Sequence, residues 1–299
     1  MQQKIAVGVD GGGTKTLALA SSINGSWHGR GVAGPSNPHA VGFEMACAAI
    51  EAAISDALEG NKLAALCLGL AGVGRQAEVD YFMNWARAKF PGVALRVLSD
   101  AEILLAAAPT GPALALICGT GSIAYGRTAG GDLIRAGGWG YLFGDEGSGF
   151  AIGAAALRAV MQAFDGRDEP TLLTELIQAH RRLESSVELV QAIYGAESPR
   201  TEIADLAELV EQAAAEGDGA AFSILDGAAM ELARLVRVVY KRLGSSAVSL
   251  ALAGGVILHG VYLAGAFRRA CNHMELVFTE TIEVPEPAAV ALILAHQIV

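Results

Sequence analysis

The pattern that most restricts this chain is a strand, a glycine-rich turn and a second strand, met twice. KIAVGVD at 4–10 reads as a buried strand, GGGTK follows, and TLALAS at 16–21 has the β-propensity and alternation of a second strand. The order recurs near residue 113: ALALIC at 113–118, then GTGS, then a strand over 123–128. A dinucleotide-binding fingerprint needs a helix after its glycines, because the helix N-terminus receives the pyrophosphate. A Walker A loop likewise needs GK[ST] opening a helix. Neither fits a turn that leads into a strand. Such a hairpin can still wrap phosphate oxygens in its amides. The expectation is that Gly12, Gly13, the Thr14 hydroxyl and Lys15 do so in the first copy, and Thr120 and Gly121 in the second. Asp10, at the end of the first strand, is placed to hold Mg²⁺ through water. An ordinary type I′ hairpin turn is the plainer alternative.

The first copy continues with a strand over Ser26–Ala33, a helix over Phe43–Leu58, a strand over Ala64–Leu70, a helix over Arg75–Phe90, a strand over Val93–Leu98 and a short helix over Ala101–Ala107. The second adds a strand over 133–136 and a helix-rich stretch between Gly147 and Gly244, with helices at 169–184, 186–194, 203–215 and 220–243. Strands at 247–253 and 275–278 follow, with a helix near 261–271 between them and a last helix after Pro285. Mixed sheets carrying helices are implied, an α/β class. Two copies of one unit imply two related domains, 1–112 and 113–299. A helical insertion falls at about 150–245 in the second, and the last helix could return to the first.

Composition narrows the partners. With 299 residues, 53% hydrophobic and 17% charged, the chain can bury a large core. Its net charge of −10 repels nucleic acid and anionic membrane surfaces. Cys47, Cys67, Cys118 and Cys271 lie far apart, as for buried thiols in a reducing cytosol, and the six histidines show no metal spacing. With no signal-peptide pattern and no apolar run near ~20 residues, a cytoplasmic protein is expected.

ALAGGV at 251–256 places Gly254 and Gly255 between a strand and a helix, where a purine could lie on bare backbone. Taken in order, DGGGTKT, SNPHA, LSDAE, CGTGS, GGWGYLFGDEGS and LAGGV resemble the N-acetylglucosamine kinase and BadF/BadG-type ATPase family of the sugar kinase/heat-shock/actin superfamily, from residue 4 to about 295. The resemblance implies two actin-like (ribonuclease H-like) domains facing each other across an ATP-binding cleft, and an ATP- and Mg²⁺-dependent kinase acting on the C6 hydroxyl of an amino sugar. N-acetylglucosamine is slightly favoured over glucosamine, and a homodimer is the family's habit. It also implies phosphate contacts at Gly12, Gly13, Thr14, Thr120 and Gly121, adenine-side contacts at Gly254 and Gly255, Asp100 as catalytic base, and sugar contacts at Asn37, Asp100, Gly138, Trp139, Gly140 and Asp145.

Residue chemistry leaves alternatives at several of these positions. Asp100 could instead cap the helix it precedes, and Asp145 could form a turn, cap the next helix or serve as the base in place of Asp100. Asn37 is a ready turn former, and Trp139 could be a core aromatic. The activator ATPases of the same family carry an iron–sulfur cluster on closely placed cysteines, and the ROK sugar kinases a compact Cys/His zinc motif. Neither pattern occurs here. A nucleotide switch without catalysis would have no use for a polar sugar pocket.

Overall fold

The computed structural model describes residues 4–25, 27–108 and 111–299. By internal contacts the chain forms two compact units, one running to Ala107 and including Glu286–Val299, the other spanning Ala108–Pro285. The first break thus falls a few residues before 112, and the last helix belongs to the first unit.

In the first unit β1 (Lys4–Gly11), β2 (Thr16–Ser22), β3 (His28–Ala33), α1 (Pro38–Val41), α2 (Phe43–Leu58), β4 (Lys62–Leu70), α3 (Gln76–Lys89), β5 (Ala94–Ser99) and α4 (Asp100–Ala107) follow in order. The strand expected over Ser26–Ala33 begins at Ser26, which lies outside the described residues. The second unit holds β6 (Ala113–Cys118), β7 (Ser122–Arg127), β8 (Leu133–Gly137), α5 (Gly149–Phe164), α6 (Leu173–Arg181), α7 (Glu188–Tyr194), α8 (Pro199–Asp205), α9 (Ala207–Ala215), α10 (Gly219–Leu243), β9 (Ser249–Ala253), α11 (Gly255–His259), α12 (Val261–His273) and β10 (Thr281–Glu283). Then α13 (Pro287–His296) completes the first.

The two sheets have the same topology. The first runs β3-β2-β1-β4-β5 and the second, read in the matching direction, β8-β7-β6-β9-β10. In each, the leading strand pairs antiparallel with the hairpin that follows it and parallel with the later strand on its other side. The duplicated sequence unit is therefore a duplicated sheet of the actin-like α/β kind.

Alternating side-chain size sets how helices meet the first sheet. Ile5, Val7 and Val9 point to one face, where Ile50 and Ile54 of α2 and Phe82 of α3 complete the packing. Ala6 points to the other, against Ala291 and Ala295 of α13. Gly8 lies so close to α13 that a β-carbon there would stand 2.0 Å from the Leu292 nitrogen and 2.5 Å from the Ala291 carbonyl carbon. Glycine is thus required by proximity, not by backbone angles.

In the second unit Leu114, Leu116 and Cys118 of β6 share a core with Ile152 and Ala156 of α5 and Leu232, Val236 and Val239 of α10. Two local expectations fail here. The helix expected over 203–215 is two, α8 and α9, separated at Leu206. The strand expected at 275–278 is absent: Glu275, at φ 58°, turns the chain out of α12. The chain reaches the sheet only where Thr279 donates to the Val248 carbonyl, so the edge strand is β10.

Gly8→Ala should lower stability by ~2 kcal/mol or more, because backbone must move to admit the methyl group. A β-carbon on Gly13 meets nothing within 4 Å, so Gly13→Ala should stay within about 0.5 kcal/mol of the parent. Denaturant midpoints of the two variants check this contrast; equal midpoints would contradict the tight seating of α13.

Candidate active site

In the first unit the site residues gather at one end of the sheet. Gly11 pairs with Leu70, and Leu70 with Ser99. Asp10 and Asp100 thus stand at the carboxyl ends of β1 and β5, two strands apart, at the edge where open α/β sheets bind ligands. Gly12, Gly13, Thr14 and Lys15 form the turn between β1 and β2, closed by the Gly12 amide donating to the Lys15 carbonyl at 2.9 Å. Neither central residue, Gly13 or Thr14, has positive φ, so this is not a type I′ turn, whose central residues need it. A β-carbon on Gly13 would meet no atom of the chain. Neither backbone angle nor internal packing therefore demands glycine at 13, whereas close approach of a ligand would.

A second segment is tied to this turn. The amides of Ser36 and Asn37 donate to the Gly12 carbonyl at 3.0 and 3.2 Å. The Thr16 hydroxyl donates to the Gly34 carbonyl at 2.7 Å and lies 2.8 Å from the Ser36 hydroxyl, with both side chains buried. Asn37 is held beside the glycine turn as the N-cap of α1, its side-chain oxygen accepting the His39 amide at 3.0 Å. The His39 ring is 3.1 Å from Glu78. Burial works against charge on Glu78, but the Arg75 and Gly74 amides it accepts, with His39 and Arg75 nearby, hold its carboxyl below the usual range.

Asp100 opens α4, but the capping is done by its neighbours. The Ser99 hydroxyl accepts the Glu102 amide at 3.2 Å, and the Glu102 carboxylate accepts the Ser99 amide at 2.9 Å, a reciprocal capping box. Asp100 accepts the Ala101 amide at 2.8 Å. Its charge is felt at Asp10, whose pKa is pushed up to about 7 by burial first and by Asp100 second, with Lys15 opposing. A buried carboxylate with a second carboxylate acting on it suits a site that receives a divalent cation, since a cation there would offset both burial and repulsion. Among the described residues no three His, Cys, Asp or Glu side chains cluster as a complete metal site. That is in keeping with Mg²⁺, which keeps several waters and binds through one or two carboxylates plus phosphates.

In the second unit three separate motifs meet. The GTGS turn joins β6 to β7, and the Gly149 and Phe150 amides at the start of α5 donate to the Gly119 and Thr120 carbonyls at 2.8 and 3.3 Å. A β-carbon on Gly254 would lie 2.3 Å from the Cys118 carbonyl oxygen, so the AGGV loop rests on the same turn, with Gly255 exposed beside it. The GDEGS loop is the third: the Ser122 amide donates to Asp145 at 3.2 Å and the Ser122 hydroxyl to the Glu146 carbonyl at 2.7 Å.

Asp145 is 3% exposed, at φ 59°, and ion-paired with Arg200 at 2.9 Å. The N-cap of α5 is Ser148. With both oxygens engaged, Asp145 is poorly placed to act as the base in place of Asp100. Gly138 and Gly140 flank Trp139, which is 67% exposed under the Arg135 guanidinium, 4.5 Å from the ring centroid, and is not a core residue. Arg200 was not legible as a site residue: it lies 55 positions from Asp145, on the first turn of α8, which falls before the helix expected to begin at 203.

All four cysteines are free and buried. Burial pushes the Cys47 thiol up to about 11, and those of Cys67, Cys118 and Cys271 up to about 12. Arg96 opposes the shift at Cys67 and Asp145 adds to it at Cys118. Such thiols are poor metal ligands. No described helix is long and apolar enough to cross a membrane.

Two actin-like sheets, each with a glycine turn and glycine loops at one edge, define a class of nucleotide-handling proteins. Within it, the BadF/BadG/BcrA/BcrD ATPase family matches residues 7–284, and the chain belongs to that family. It is 35% identical to the N-acetylmuramic acid/N-acetylglucosamine kinase of Clostridium acetobutylicum, over 90% of each chain. It is 33% identical to the N-acetyl-D-glucosamine kinase of Dictyostelium discoideum, over 82% of each. A solved structure from Chromobacterium violaceum, provisionally described as an N-acetylglucosamine kinase, is similar with a TM-score of 0.78 at 27% identity, over 98% of this chain and 99% of that one.

The raised pKa of Asp10 has a consequence for stability. The folded state holds this proton up to about pH 7, whereas the unfolded chain releases it near pH 4. The group therefore makes stability fall as pH rises between those values and stay low above them. Asp10→Asn should match the parent near pH 4 and exceed it at pH 8, by a few degrees in Tm for roughly 1–2 kcal/mol. Thermal melts at both pH values check this; equal Tm differences would contradict the burial of the carboxylate.

Proposed function

We propose that this chain transfers the γ-phosphoryl group of ATP to the C6 hydroxyl of an amino sugar, N-acetylglucosamine first among the candidates, in the cytoplasm. The observation that carries the reading is the placement of Asp100. It stands at the carboxyl edge of the first sheet, coupled to Asp10, while Ser99 and Glu102 cap the helix it opens. Family membership and the kinase names of relatives matched over most of the chain support it. Both of those relatives are named for N-acetylated sugars, which favours the acetamide over the free amine.

In this mechanism Asp100 accepts the proton of the C6 hydroxyl as its oxygen attacks phosphorus in line. The new bond is O6–P, the bond between the γ-phosphorus and the β–γ bridging oxygen breaks, and ADP leaves with that electron pair. The turn of Gly12, Gly13, Thr14 and Lys15, through the Gly13 amide and the Thr14 and Lys15 side chains, and the amides of Thr120 and Gly121 are assigned to phosphates; Gly254 and Gly255 to the adenine side. Asp10, with Asp100 nearby, would hold Mg²⁺, whose charge offsets that of the phosphates. Asn37, seated against the glycine turn, and Gly138, Trp139 and Gly140 are assigned to the sugar. Asp145 is assigned to shaping the second turn.

A coupled ADP-release assay with ATP, Mg²⁺ and a sugar panel tests this. Turnover on one amino sugar is the expected result, and ADP release indifferent to every sugar would sink the kinase reading. Asp100→Asn should cut kcat by about 10²-fold or more with sugar affinity kept. An undiminished rate would show that another group is the base.

A further inference from the structure

We propose that Arg200 is a phosphate contact of the second unit, its guanidinium held by Asp145 against the GTGS turn so that it reaches a terminal phosphate oxygen of the nucleotide. The inference rests on the reading above, that this turn grips phosphate.

The geometry starts from Gly121. A β-carbon there would lie 2.9 Å from both Asp145 carboxylate oxygens and 3.0 Å from Nη2 of Arg200. The ion pair therefore sits directly on the turn's backbone, in the space that the glycine leaves open. By itself Asp145 is the wrong neighbour for a polyanion, since a buried carboxylate at that distance repels phosphate. Two of the turn's own amides are already engaged, so phosphate is left to those of Thr120 and Gly121. The Gly119 amide donates to the Gly121 carbonyl at 3.0 Å, and the Ser122 amide donates to Asp145 itself.

Arg200 cancels the local negative charge. It neutralises Asp145 through Nη2 at 2.9 Å, and a guanidinium has five N–H donors in a planar fork. The exposure of the pair is one-sided: the Asp145 side chain is 5% exposed and that of Arg200 43%. The acid is thus the buried anchor and the guanidinium its outward face. The Tyr141 ring lies 5.5 Å from the guanidinium carbon and steadies it.

Two features show that the fold is built around this pair. Asp145 holds a left-handed backbone conformation (φ 59°) that L-residues avoid and that recurs at functional sites. The helix bearing Arg200 is pressed onto α5, where a β-carbon on Gly153 would lie 1.8 Å from the Ile203 carbonyl oxygen. The next turn of α8 is tied to α6 by the Arg181–Glu202 ion pair. Arg200 is therefore carried on anchored structure.

Affinities for ATP, ADP, AMP and the sugar, measured by calorimetry on the parent, on Arg200→Gln and on Arg200→Gln/Asp145→Asn, test the proposal. The double variant leaves no unpaired buried charge, so its Tm stays near the parent's even if the single variant folds poorly. Its ATP and ADP affinities should fall by about 10- to 10²-fold, with AMP binding at the parental value and the sugar affinity of Arg200→Gln unchanged. The single variant should bind ATP more weakly still, because Asp145 then faces the phosphates alone. A double variant that recovers parental ATP affinity would overturn the contact, leaving Arg200 only to neutralise Asp145. Loss of AMP and ATP binding alike in the double variant would overturn it too, making the pair a structural brace. A parent that binds no ATP would instead remove the phosphate reading of the turn, and this inference with it.

Discussion

Backbone packed at unusually short range is the constraint on which the rest of this structure depends. At Gly8 a helix lies so near a central strand that a single methyl group cannot be admitted, and at Gly254 one loop rests on another in the same way. Small side chains remove the spacers that normally hold elements ~10 Å apart. The benefit is positional: α13, returning from the far end of the chain, is locked to β1 just before Asp10. Turns that approach backbone to backbone can then present amides with little freedom left to lose on binding a ligand.

Charge in the first unit is arranged around that rigidity. Asp10 and Asp100 are brought together by strand register, and the reciprocal cap formed by Ser99 and Glu102 completes the start of α4. Burial and mutual repulsion make the pair unfavourable while both are ionised. Such local instability is usual at reactive sites, where the structure around them has already met its cost. The second unit solves a related problem differently: its buried carboxylate, Asp145, is matched by an arginine brought in from the helical insertion.

Much of this was legible in the residues. The three glycine motifs could be singled out because glycines fall between apolar runs, whereas the roles of Asp100 and Asn37 came only through the family resemblance. Their surroundings were not legible. The S-x-x-E spacing of Ser99 and Glu102 is compatible with a capping box, but Asp100 beside them is an equally good cap by residue type, and only the hydrogen bonds decide between them. That Asn37 would cap α1 beside Gly12 required knowing that residues 36–37 hydrogen-bond to that turn. Trp139, a core candidate by composition, is exposed because the loop carrying it is held from its glycine ends and not by its ring. The strand expected at 275–278 failed because an apolar run does not say where a helix will release the chain.

The sequence by itself determined the class of the fold and its duplication. A strand, glycine turn and strand repeated twice can be satisfied by only a few sheet topologies, and the periodicities of 2 and 3.6 are local properties of the chain. Tertiary structure decided that α13 is seated against Gly8 of the first sheet, that the Asp100 charge raises the pKa of Asp10, and that Arg200 answers Asp145. Each is a contact between residues far apart in the chain, set by strand register and helix seating. No local pattern encodes such contacts, because their energy exists only once both partners have been brought out of water to the same place.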